Sequence, residues 1–178
     1  QRALVRELCP AHVSIAMREI TAGEDEATSR EFYHWAHDAG IDVQHILYTP
    51  EEVQRLRDLV ARDVVPADDL EVIFVLGKYS GARDSMPEDL AAYLAERTGA
   101  LEQAGFTVCA FGQQETACLV EAIRAGGNAR IGFENNLFNE DGNLSASNAA
   151  RVQELSDRLA QQQRAGVSLQ ETLERDPK

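Results

Sequence analysis

The chain has 178 residues, 44% hydrophobic and 26% charged, a length and mix that suit one soluble domain with its own core. Seventeen basic against thirty acidic residues give a net charge of −13 and a pI near 4.7, which argues against a general attraction to nucleic acid or to an anionic membrane. No apolar run approaches the roughly 20 residues of a membrane span, and the opening residues, with Arg2, Arg6 and Glu7 around a short apolar set, are not expected to act as a secretory leader.

Cys9, Cys109 and Cys118 are widely spaced and lack a CxxC pair, so they predict reduced thiols in a cytoplasmic protein. Cys109 lies in an apolar run and reads as a small core residue. The chain opens on Gln1 inside a helical pattern (Ala3, Leu4, Val5, Leu8), as the later part of a longer domain would.

In chain order, His12 to Met17 predicts a strand. Thr28 and Ser29 are the expected caps of a helix carrying Phe32, Trp35, Ala36 and Ala39, which Gly40 ends. Ile41 to Tyr48 predicts a second strand. Thr49, Pro50 and Glu52 form a capping box ahead of Val53, Leu56, Leu59 and Val60, in a helix that stops before Pro66. Glu71 to Leu76 is β-branched and apolar on both faces, the pattern of a strand buried in a parallel sheet. Residues 77–86 form a loop, and Ser85 with Glu88 is a second capping box, for a helix carrying Leu90, Tyr93, Leu94 and Leu101 and closed by Gly105.

Phe106 to Phe111 predicts the fourth strand, followed by a helix with Ala117, Val120 and Ile123 that stops at Gly126 and Gly127. Ala129 to Phe133 predicts the fifth strand. Asp141 and Gly142 mark a turn. Ser147 is the expected cap of the last long helix, with Val152, Leu155 and Leu159 on its apolar face and an end at Gly166; Ser168 with Glu171 caps a terminal turn, and residues 175–178 form a frayed tail.

Strand and helix thus alternate with a period of roughly 30 residues, the size of one βα unit. The expected fold is α/β with a parallel sheet, one domain over residues 1–178. Two architectures suit it: the five C-terminal βα units of a (β/α)8 TIM barrel, which the start inside a helix favours, or an open five-stranded doubly wound sheet. In either, ligands bind where the loops leave the carboxyl ends of the strands. Arg18, Glu19, Tyr48, Gly77, Lys78, Phe111, Gly112 and Glu134 to Asn136 fall at those ends. A mixture of cation, carboxylate and amide at one rim suits a small anionic substrate with a metal or an enolate to be stabilised. The alternative is that rim residues cap the following helices.

The GKYSG loop lacks the Walker spacing. Gly77 and Gly81 permit close backbone approach, so Gly77 and Lys78 are the expected contacts to a phosphate-bearing coenzyme, a simple turn being the alternative. His34 and His37 are one helical turn apart, with no third ligand nearby in sequence, and read as a helix face rather than a metal site. In Gly126 to Asn136, GGNARIGFENN, Arg130, Gly132 and Glu134 would share one face of a strand. Gly132 lacks a side chain, so the arginine and the carboxylate would look into one open space.

The segment GGNARIGFENNLFNEDGNLSASNAARVQEL resembles the closing part of the β-keto acid cleavage enzymes: a glycine pair, an Arg, a Gly, a Glu followed by Asp or Asn, a loop and an SN helix start. VIFVLG, CAFGQQE and GIDVQHILY are similar to the preceding units of the same barrel. The resemblance implies a zinc-dependent TIM barrel, another divalent metal being the alternative, which converts a β-keto acid and acetyl-CoA to acetoacetate and a new acyl-CoA. It implies that Glu134 is a metal ligand beside two histidines of an HxH motif, that Arg130 stabilises negative charge, and that Asn135 stands where many members carry an aspartate. A cytoplasmic homo-oligomer without nucleic-acid or membrane partners is expected.

This chain departs from the pattern in three places. It has no HxH, Asn128 replaces a histidine often found after the glycine pair, and Gln44 and Asn135 are neutral where acids hold an amino-substituted substrate in some members. The last departure predicts a keto acid without an ammonium group. Two further readings are a metal-dependent aldolase on the same rim and a non-catalytic α/β module. A phosphoacceptor receiver is disfavoured because Glu19 and Lys78 are misplaced for it.

Overall fold

The computed structural model describes residues 1–21, 25–77 and 85–174, with side chains through residue 162. Lys78 and the tail 175–178 lie outside the described residues. In chain order the elements are α1 (Arg2–Leu8), β1 (His12–Ala16), α2 (Met17–Ile20), α3 (Glu26–Asp38), β2 (Asp42–Leu47), α4 (Pro50–Ala61), β3 (Glu71–Leu76), α5 (Asp89–Ala95), β4 (Gly105–Ala110), α6 (Glu115–Arg124), β5 (Asn128–Ala129) and α7 (Asn148–Glu174).

The five strands form one sheet in the order β1-β2-β3-β4-β5, and every pair is parallel. Ile15, His45, Val72 and Phe106 lie opposite one another in register, and all four are buried. Because side chains alternate along a strand, this row shares its face with Leu47, Phe74 and Val108, against helix residues that include Phe32, Leu56, Leu90, Leu119 and Leu155. The opposite face carries Ile73, Val75 and Cys109, with Ile46, Tyr48 and Phe111 packed against them, and among the described residues no helix side chain joins that cluster.

A strand order without reversal, with the described helices packed on one face, is compatible with part of a barrel. Among the described residues the sheet has no switch point of the kind at which a doubly wound sheet changes direction. Closure into eight strands is not a feature of the described residues.

Several local expectations are corrected. α3 is capped by Asp25, whose Oδ1 accepts from the Thr28 amide at 2.9 Å; Ser29 is buried inside the helix instead. The Ser85–Glu88 box does not form, because the Ser85 hydroxyl donates to the Phe111 carbonyl at 2.8 Å and Asp89 accepts from the Met86 amide at 2.9 Å. The helix expected to run from there to Gly105 ends at Ala95; a 3₁₀ turn at Gly99–Leu101 follows, and Gly105 begins β4. The box expected at α4 does not form: Glu52 Oε2 accepts from the amide of Tyr48, the residue before the N-cap, at 2.6 Å, and the Thr49 N-cap makes no side-chain capping bond. α7 runs through Gly166 and the Ser168–Glu171 stretch to Glu174. Its buried face carries Arg151 and Leu155, and Val152 is exposed.

Candidate active site at the carboxyl ends of the strands

Beyond Ala129 the chain keeps one more sheet bond, from the Arg130 amide to the Val108 carbonyl at 2.9 Å. It then turns. The Gly132 carbonyl accepts from the amides of Asn135 at 2.9 Å and Asn136 at 3.2 Å, so Gly132 to Asn135 forms a turn where a strand to Phe133 was expected. Side chains take the next two amides after the bend. Glu115 Oε1 accepts from the Gly132 amide at 3.3 Å, and Asn148 Oδ1 accepts from the Phe133 amide at 2.8 Å. Arg130 and Glu134 therefore meet across a turn, not along one strand face, and they form an ion pair.

That pair is reachable from solvent, with 41% of the Arg130 and 59% of the Glu134 side chain exposed. Beneath it lies Cys109 on the helix-free face of the sheet. Burial pushes the Cys109 thiol up to about 11; Arg130 pulls the other way and Glu134 reinforces the rise. The thiol is thus a protonated floor, not a nucleophile. Asn135, next to Glu134, is buried, and among the described residues its Nδ2 has no hydrogen-bond partner of ordinary geometry. The Cys109 sulfur is close enough to feel that amide, but sulfur is a weak acceptor.

Further round the rim, Arg18 in α2 lies 4.0 Å over the Tyr48 ring, with Nε held by Glu52 Oε1 at 2.7 Å. Glu19 accepts from the Gln1 side chain. The Tyr93 hydroxyl lies 2.8 Å from the Tyr48 carbonyl and 2.9 Å from that of Val75, fastening the ends of β2 and β3. Gly77 has φ +78, and a Cβ there would stand 3.2 Å from the Ser85 nitrogen and 3.3 Å from the Phe111 oxygen. Its freedom thus serves close passage of the protein's own backbone. On the face of β2 opposite His45, the Gln44 Oε1 accepts from the Ser14 hydroxyl at 3.0 Å.

The histidines lie elsewhere. His12, at the start of β1, pairs with Asp42 at 2.8 Å. His34 Nε2 is 2.9 Å from the Asp63 carbonyl, His37 faces Asp38 and Asp68 at 3.6 and 3.9 Å, and His45 is buried on the helix side of the sheet. Among the described residues no group of three His, Cys, Asp or Glu side chains is placed to hold a metal ion. Glu134 is one carboxylate suited to zinc, and these residues do not complete a zinc shell around it.

The sequence reading missed Glu115, Asn148 and Arg151. Glu115 and Arg151 are fully buried and paired at 2.8 Å. The available signal was Arg151 at a core position of α7, four residues before Leu155, inside an otherwise apolar stripe.

Residues 1–175 match the beta-keto acid cleavage enzyme family, and the chain belongs to that family. Membership agrees with the parallel sheet, with the position of the Arg130 and Glu134 pair at its carboxyl ends, and with the glycine-pair segment that leads to it.

Proposed function

We propose that this chain cleaves a β-keto acid with acetyl-CoA as acyl acceptor, giving acetoacetate and an acyl-CoA. In the net reaction the bond between the keto carbon and the adjacent methylene breaks. That methylene joins the acetyl carbon, and the released acyl group takes the coenzyme thiol. The observation that supports this best is the turn after β5, where a cation, a carboxylate and a buried, unpartnered amide donor stand together at the rim of a family member's sheet.

Arg130, exposed beside Glu134, supplies positive charge where an enolate or alkoxide develops. Asn135 offers an N–H donor to a substrate oxygen, a group that a buried site rarely leaves unpaired without use. Gly77 and, by its place in the sequence, Lys78 are the residues expected to contact the coenzyme. Glu134 is the ligand this chain offers to a divalent metal, zinc by family resemblance. The reading also carries a cytoplasmic homo-oligomer.

Incubation of the full chain with β-keto acids and acetyl-CoA should yield acetoacetate, and Arg130→Ala should lower kcat by roughly 100- to 1000-fold, the usual cost of a lost oxyanion donor. Product formation without acetyl-CoA would instead favour the aldolase reading. Neutral Asn135 and Gln44 favour a keto acid without an ammonium group, so uncharged substrates should turn over faster than amino-substituted ones. A clear preference for the amino substrate would overturn that assignment.

A further inference from the structure

The turn that carries Glu134 is held from behind by two helices. In the first turn of α6, Glu115 takes the Gly132 amide on Oε1 at 3.3 Å and the Arg151 guanidinium on Oε2 at 2.8 Å. In the first turn of α7, Asn148 takes the next amide, that of Phe133, at 2.8 Å. Arg151, one helical turn on, also donates to the Thr116 hydroxyl at 3.1 Å and pairs with Glu154. Gly132 makes the arrangement possible: a Cβ there would come within 3.2 Å of Asn148 Oδ1, tighter than side chains ordinarily pack.

A fully buried ion pair is poor value as a stabiliser, because desolvating both charges offsets much of their attraction, and well-packed apolar residues often do as well. What apolar residues cannot do is accept an amide hydrogen bond. The buried Glu115 and the exposed Asn148 aim their acceptors at consecutive amides immediately before Glu134, so their geometry fixes the backbone from which Glu134 and Arg130 project.

We propose that Glu115, Asn148 and Arg151 are positioning residues that clamp the Gly132–Asn135 turn and so set the placement of Arg130 and Glu134 for the reaction. The proposal rests on the functional reading above for its catalytic consequence, and on the hydrogen bonds alone for the clamp.

The test compares wild type, Asn148→Leu, Asn148→Asp and Glu115→Gln as full chains. Amide hydrogen exchange over residues 130–136 is read first, with thermal melting to show that each variant folds. Asn148→Leu should lose protection in that segment while the central strands keep theirs, and Asn148→Asp, which retains the acceptor, should restore it. Glu115→Gln keeps an oxygen for Gly132 but loses the charge that holds Arg151, and should fall between the two. With acetyl-CoA and a turned-over β-keto acid, Asn148→Leu should lower kcat by roughly 10- to 100-fold, as outer supports of a site do, with little change in KM, and the Asp variant should recover it. Unchanged exchange in Asn148→Leu, or a failure of Asn148→Asp to recover protection, overturns the clamp. If the wild type makes no acetoacetate, the functional reading fails, and the exchange arm still decides the clamp.

Discussion

His45 shows how one residue ties sequence to solution behaviour. It sits within β2 with its ring 5.3 Å from that of Tyr33, fully buried and with Nδ1 unpartnered among the described residues. Burial holds its pKa down at about 4, against an ordinary 6.5. On acidification the unfolded chain takes this proton first. The contribution to stability is therefore complete above about pH 6.5 and is lost as pH falls toward 4, about 3 kcal/mol in all. Denaturant titrations at pH 7 and pH 4 should show wild type losing roughly that much more than His45→Leu; equal losses would place the acid-sensitive group elsewhere. The thiols make a second expectation at this scale. Burial pushes Cys109 and Cys118 up to about 11, whereas Cys9 is exposed. An alkylating reagent at neutral pH should label Cys9 in the folded protein and reach the other two only on unfolding, as read by peptide mass mapping. The sequence identified Cys109 as core from its apolar surroundings. It did not distinguish the two faces for His45, because either orientation is compatible with IDVQHILY.

At the scale of elements, the glycine pair before β5 divides two tasks. Gly126 has φ +85 and closes α6, its amide bonded to the Ile123 carbonyl at 3.0 Å. Gly127 has no room for a side chain, since a Cβ would overlap the Phe106 ring. Gly127→Ala should therefore destabilise the fold by roughly 1–3 kcal/mol through overpacking, and a neutral result in thermal unfolding would show that Phe106 can move aside. α7 is capped as its sequence predicts, with Ser147 Oγ accepting from the Ala150 amide at 3.1 Å. Ser147→Ala should cost about 1 kcal/mol. The cap was legible because the bond is local, three residues apart. The end of β5 was not: Phe133 looks like strand, but its amide goes to Asn148, fifteen residues later in the chain. The phase of α7 was misread for a similar reason. Val152 fits an apolar stripe on paper, yet Arg151 takes the buried position because Glu115 waits there with an opposite charge.

For the whole molecule, the open edges of the sheet matter most. Among the described residues β1 and β5 each pair on one side only, and β5 is two residues long. Unpaired strand edges favour association, so light scattering on the full chain should report a mass above the 19.6 kDa of one copy; a well-behaved monomer would show that the edges are covered within the chain itself. Among the described residues, no helix is long and apolar enough to cross a membrane.

By itself the sequence determined the alternation of strands and helices, the parallel sheet and the segment that holds Arg130 and Glu134. Those features depend on side-chain periodicity, on caps and on glycines, all of which act over a few residues. The tertiary structure decided the strand order, the shortness of β5 and the turn that brings arginine to carboxylate. It also decided the burial of Glu115 with Arg151 behind that turn. Each of these depends on a partner contributed by a distant part of the chain, and a hydrogen bond or ion pair between remote residues leaves no period in the sequence from which to read it.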